Sequence, residues 1–305
     1  MTTNKSRIAI ALASTLALTQ LTGCGGGGSD ASPQTQDGGG GNFDPAPAIL
    51  AAYNPSTAFA SNIVACVTTT TCTLETLPLI GNANDTPTVD QIMDQLVVSH
   101  DWMAQRFKEM LEASPEQMLK LFRAVTAVVI SSDIRPSHYK NATGAIYIDP
   151  ALLWLTNAEK ATIDQTPDFR SNYGKDLQFV RVWRFIIDND YAWRSYSLTG
   201  TEVRTFDDTF VLASWVFYHE LAHANDCVTP LNMASFDQNQ TFSDNITAQM
   251  DAGTCVYQQL TSQNPLLSQT WLNLAQVFYQ GANSTTEQRA MTPIGAGDAF
   301  ALDHA

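Results

Sequence analysis

Between Thr86 and Ile130 apolar residues return every three or four positions, through Val89, Ile92, Met93, Leu96 and Val97, then Met103, Phe107, Met110 and Leu111. That spacing draws one apolar stripe along a helix. Within it, Ser114-Pro115-Glu116-Gln117 carries the marks of a helix start: Ser114 as cap, Pro115 at the first helical position and Gln117 completing a capping box. A second helix through Leu119, Phe122, Val125 and Val129 then predicts a helical hairpin over residues 86–130. Past Pro136 the pattern shortens. Gly144 to Pro150 holds a β-branched and aromatic run bounded by Gly and Pro, which predicts a strand. Leu177 to Asp188 is apolar and ambiguous between helix and strand, and Trp183, Tyr191, Trp193 and Tyr196 crowd the same region. Aromatics at that density read as core ahead of a carbohydrate- or peptide-binding cleft. From Phe210 to His223 the chain is apolar nearly all round, with Asp207 and Asp208 at the positive end of the dipole and Pro230 beyond, so a buried central helix is expected. One more helix is expected around Leu272 to Tyr279. The class is α+β, with a short mixed sheet.

Ahead of these elements lie Lys5 and Arg7, an apolar stretch from Ile8 to Leu18 too short to span a bilayer, and Leu21-Thr-Gly-Cys24. The order resembles the lipobox of bacterial lipoproteins and implies a signal over 1–23 with lipidation of Cys24. Gly25 stands where an aspartate typically signals inner-membrane retention, so outer-membrane attachment is expected. Residues 24–45 are almost wholly Gly, Ser, Asp, Gln, Pro, Ala and Thr, a flexible tether. Residues 46–305 are then the folded domain, with 86–130 as a candidate helical subdomain.

Setting Cys24 aside leaves Cys66, Cys72, Cys227 and Cys255. An even remainder in an exported chain reads as two disulfides. Four cysteines allow three pairings; proximity favours Cys66 with Cys72 and Cys227 with Cys255. A four-thiolate zinc site competes, but no CxxC pair supports it. The net charge of −14 argues against nucleic acid and against an anionic membrane face, so membrane contact is expected through the lipid alone.

His219-Glu220-Leu221-Ala222-His223 carries the chemistry. Residues four apart on a helix share a face, so the two imidazoles can grip one Zn2+ while Glu220, beside the first ligand, acts as general base towards its water. An otherwise apolar helix bears these three polar side chains at a cost unless something partners them. A hydrogen-bonded pair of core histidines is the competing reading. His100 and His138 have no ligand-like spacing, and His100 is placed on the surface of the amphipathic helix.

At these residues the chain resembles the zincin metallopeptidases, and Tyr218-His-Glu-Leu-Ala-His-Ala-Asn-Asp226 is similar to a group of bacterial lipoproteins with a zincin-like domain. The resemblance implies an α+β fold in which an edge strand above the HExxH helix binds substrate, and Gly144 to Asp149 is the candidate for that strand. The metzincin extension requires Gly and His where Asp226 and Thr229 stand, so that subclass is excluded. A glutamate on a later helix, the gluzincin pattern, leaves Glu287 as the candidate third ligand, although Ser284-Thr-Thr ahead of it equally suits a capping box. Asp244 and Asp251 are weaker candidates, and a third ligand lacking from this chain is a further alternative. Asp226 is either a carboxylate supporting a ligand imidazole or a polar residue at a helix end. The expected activity is zinc-dependent hydrolysis of a peptide or protein substrate. A cell-wall amidase of the same chemistry and a non-catalytic binding lipoprotein stand as alternatives.

Overall fold

Leu96-Val97-Val98 and Val128-Val129-Ile130 are apolar at every position, and both are strands with all three residues buried. A strand covered on both faces has no reason to alternate, so these triplets merge into the helical spacing around them. The computed structural model describes residues 48–167, 169, 171–178, 186–263 and 269–290; the expected signal, most of the tether and Cys24 lie outside them. The described residues divide into two compact units, one within residues 48–171 and 186–255, the other within residues 172–178 and 256–290.

In the larger unit the order is β1 (Ala51–Ala52), α1 (Ile63–Thr68), α2 (Val89–Asp94), β2 (Leu96–Val98), α3 (Asp101–Ala113), α4 (Glu116–Leu121), β3 (Val128–Ile130), β4 (His138–Lys140), β5 (Ala145–Ile148), α5 (Asn157–Lys160), β6 (Ile186–Ile187), β7 (Asp190–Tyr191), α6 (Phe206–Cys227) and α7 (Phe242–Asp251). The main sheet runs β1-β2-β3-β5-β4. Its middle strands β2, β3 and β5 are parallel, while β1 and β4 are antiparallel edges. The α+β class and mixed sheet are therefore present.

Four expectations are corrected. The 86–130 segment is not a helical hairpin, because α3 and α4 form the crossover that two parallel strands require. Ser114 does not cap α4; its hydroxyl donates to the Met110 carbonyl at 2.7 Å, closing α3, and Pro115 occupies the cap instead. The strand expected at Gly144–Asp149 exists as β5 but is internal, and β4 holds the edge. His100 also precedes α3 as its cap residue, with Nδ1 2.9 Å from the Ser99 hydroxyl.

Val97, Val129 and Ala145 pack with Ile63, Cys66 and Val67 of α1. The intervening Leu96, Val98, Val128, Ile130, Ile146 and Ile148 are also buried. Helix α3 packs on β2 and α6 on β4 and β5. The two helices meet where Phe107 and Phe217 lie edge to face at 5.6 Å. Both favoured disulfides are present, Cys66–Cys72 closing the end of α1 and Cys227–Cys255 tying the end of α6 to the residues after α7.

The ambiguous run after Leu177 divides between the units. Leu177 is buried with Leu274 and Val277 in the smaller one, which also contains α8 (Val256–Gln263), α9 (Gln269–Gln280) and α10 (Thr286–Ala290). Residues 179–185, including Trp183, lie outside the described residues. Ile186–Ile187 pairs with Asp190–Tyr191 around Asp188 and Asn189, whose φ values of 52° and 67° suit a tight hairpin turn. Tyr191 is 64% exposed and is no core residue, while Trp193 and Tyr196 are half-buried. Among the described residues no helix is long and apolar enough to cross a membrane.

Gly144, entering β5, has φ +72°, and a Cβ there would lie 2.7 Å from Phe242 Cδ2. Gly144→Ala combines left-handed strain with a clash against a buried ring, so it should destabilise the fold by about 2 kcal/mol or more in urea denaturation.

Candidate active site

Helix α6 is anchored at both ends. Thr205 caps it through a capping box with Asp208: the Asp208 N–H donates to Thr205 Oγ1 at 3.3 Å, and the Thr205 N–H donates to Asp208 Oδ2 at 2.8 Å. Before the cap, Arg204 donates to the carbonyls of Trp154 at 2.8 Å and Ala151 at 3.0 Å while its guanidinium lies 3.9 Å from the centre of the buried Trp154 ring. Burial lowers the Arg204 pKa to about 10, still well above neutrality. At the far end Asn225 donates to the Leu121 carbonyl and Asn232 to that of Cys227, beside the disulfide.

The helix is not buried all round as its composition predicts. Its buried face carries Thr209, Ala213, Phe217, Glu220, Leu221, Ala224 and Cys227. Another stripe, Trp215, His219, His223 and Asp226, follows the four-and-three spacing of one helical face. Trp215 and His219 are exposed on it, while His223 and Asp226 are half-buried.

Along that stripe the two imidazoles converge. His219 Nε2 and His223 Nε2 lie 3.2 Å apart, with the rings edge to face at 4.8 Å between centroids. Two nitrogens about 2.0–2.1 Å from one tetrahedral zinc stand about 3.2–3.4 Å apart, so the fork matches a shared cation. The same separation also suits one ring donating an N–H to the other. Burial, and then the neighbouring His219, lowers the His223 pKa to about 4, which keeps its ring neutral and its lone pair free for a ligand or a donor at neutral pH.

Glu220 faces inward. It is 5% exposed, and its carboxylate accepts from the main-chain N–H of Tyr139 at the centre of β4. Burial raises its pKa to about 7, opposed by that hydrogen bond. The Tyr139 phenol is itself buried, and its pKa is pushed up first by burial and then by the charge of Asp226. One residue of the edge strand thus bonds Glu220 through its main chain and feels the charge of Asp226 through its phenol. Sequence reading missed Tyr139, which carries no motif; only the pairing of β4 with β5 brings it against α6.

Glu287 lies on the first turn of α10, in the other unit, and is exposed. The box there is formed by Thr285 and Gln288, not by Glu287. Asp244 accepts from the Thr241 hydroxyl at 2.7 Å within the cap of α7, and Asp251 is exposed at the end of that helix. Among the described residues, the one group of three potential ligands within 4.8 Å of one another is Asp226, Cys227 and Cys255, and its two sulfurs are bonded to each other. No third His, Cys, Asp or Glu among them therefore completes such a group with the imidazoles.

No protein-family model, curated protein or solved structure matches the chain.

The two shifted groups have opposite effects on the metal-free protein. The folded-state pKa of Glu220, about 7, exceeds its ordinary 4.5, so its stabilising contribution is full below the lower value and is lost as pH rises through the upper one. His223, depressed from 6.5 to about 4, contributes stability above 6.5 that is lost as pH falls towards 4. Glu220→Gln removes only the first dependence. Between about pH 5 and pH 7 the chelator-treated variant should gain stability relative to wild type by roughly 2 kcal/mol. Parallel stability curves for the two proteins would show that Glu220 titrates as an ordinary carboxylate.

Proposed function

We propose that this chain is a zinc-dependent hydrolase, a metallopeptidase acting on a peptide or protein substrate, in which His219 and His223 hold the metal and Glu220 is the general base. The observation that carries the reading is the 3.2 Å approach of two Nε2 atoms on successive turns of α6, with a buried carboxylate one residue beyond the first. A zinc ion in that fork supplies Lewis acidity and a nucleophile at neutral pH. His223, neutral across the physiological range, keeps its ring nitrogen available as a ligand. Glu220 accepts the proton released as a carbonyl is attacked; a base with a pKa near the working pH suits that transfer. The Tyr139 N–H fixes the orientation of the carboxylate.

The zincin resemblance assigns substrate binding to an edge strand, and β4 is the edge strand against which α6 packs. We further propose that the domain is exported and tethered to the outer membrane through lipid on Cys24, on its periplasmic or surface face, a setting that suits its two disulfides. The absence of a third ligand among the described residues favours a second reading, a non-catalytic binding lipoprotein built on the same framework.

Zinc content separates the two readings. Near-stoichiometric metal in the purified full-length protein, measured by elemental analysis, supports the hydrolase, and a metal-free protein favours the binding lipoprotein. His223→Ala should lose the metal. Glu220→Gln should keep it while lowering turnover of casein at least about 100-fold, because the base is gone and both imidazoles remain. Full activity in the glutamine variant would overturn the assigned role. Release of fragments from purified peptidoglycan with casein untouched would redirect the same chemistry to cell-wall amides.

A further inference from the structure

His219 is the exposed member of the imidazole pair, and its Nε2 nonetheless points at His223. A solvent-facing histidine ordinarily samples several rotamers, and holding it in one has an entropic cost. The helix supplies a restraint on the remaining side. The indole of Trp215, one turn towards the N-terminus, lies 5.6 Å from the His219 ring centre at an interplanar angle of 31°. His219 is therefore flanked along the stripe by an aromatic ring on one side and by the edge-on ring of His223 on the other.

Trp215 is also unusual in its setting. It is 37% exposed, the most exposed aromatic of the helix, whereas Phe217 two residues on is fully buried and Phe206, Phe210 and Tyr218 are half-buried. We propose that Trp215 is a positioning residue for the metal centre: its indole restricts His219 to the rotamer that aims Nε2 into the fork, so the ligand pair is formed before the cation arrives. The proposal rests on the metal-centre reading above and adds to it the group that keeps the exposed ligand in place. Trp215 does not bind the cation. It acts by limiting where the imidazole can go and by covering one of its faces.

The first test needs no metal. In the chelator-treated full-length protein, the carbon-bound ring protons of His219 should shift upfield under the indole ring current. Trp215→Leu should abolish that shift and Trp215→Phe should retain part of it. Identical His219 resonances in wild type and Trp215→Leu would overturn the proposal, since the contact would not exist in solution.

The second test titrates Zn2+ against a competing chelator. Trp215→Leu should bind about five- to tenfold more weakly than wild type, and Trp215→Phe within about twofold of it, because the phenyl ring keeps the aromatic wall. Wild-type affinity in the leucine variant would overturn the positioning role while leaving the metal centre intact. No binding by any form would overturn the metal-centre reading, and the positioning role with it.

Discussion

The structure depends on one helix that is sealed on one face and open along another. Phe217 and Leu221 hold α6 against the core with no exposed surface, so the helix cannot roll. With that rotation fixed, the four-residue spacing of Trp215, His219 and His223 puts all three on a single stripe. The anchors at its ends reinforce the constraint: Arg204 grips the Trp154 ring and two carbonyls ahead of the first turn, and the Cys227–Cys255 disulfide holds the last.

That arrangement sorts three polar side chains into two environments. The imidazoles lie along one stripe, His219 exposed and His223 half-buried. Glu220, only one residue from His219, is turned about 100° around the helix and enters the low-dielectric layer beneath β4. Burial makes its charge expensive and raises its proton affinity, while the Tyr139 N–H recovers part of the loss. The edge strand therefore contributes backbone chemistry to the site as well as shape. Because β4 pairs with β5 on one side only, the hydrogen-bonding groups of its other side are available to α6.

The helices of the first half were legible wherever a helix buries a single face, as in α3, where Met103, Phe107, Met110 and Leu111 are all buried. The pattern failed at β2 and β3, because strands covered on both faces lose the alternation that would reveal them. It failed again on α6 in the opposite direction: Trp215 and Tyr218 are apolar enough to suggest full burial, yet hydrophobic composition does not state which residues a neighbour covers. The cysteine pairs were accessible because each joins positions close along the chain or across a short excursion through α7.

By itself the sequence determined the spacing of the two histidines, the carboxylate between them and the helical period that aligns the rings, since these follow from local backbone geometry. It also determined the α+β class. Only the tertiary structure decided that His219 is exposed and His223 half-buried while Glu220 faces inward, and that the Tyr139 N–H meets the Glu220 carboxylate. The exposure of these groups depends on which strand closes the sheet and how far α6 rotates before its apolar face is satisfied. Both are set by packing between residues distant in the chain, which no local pattern records.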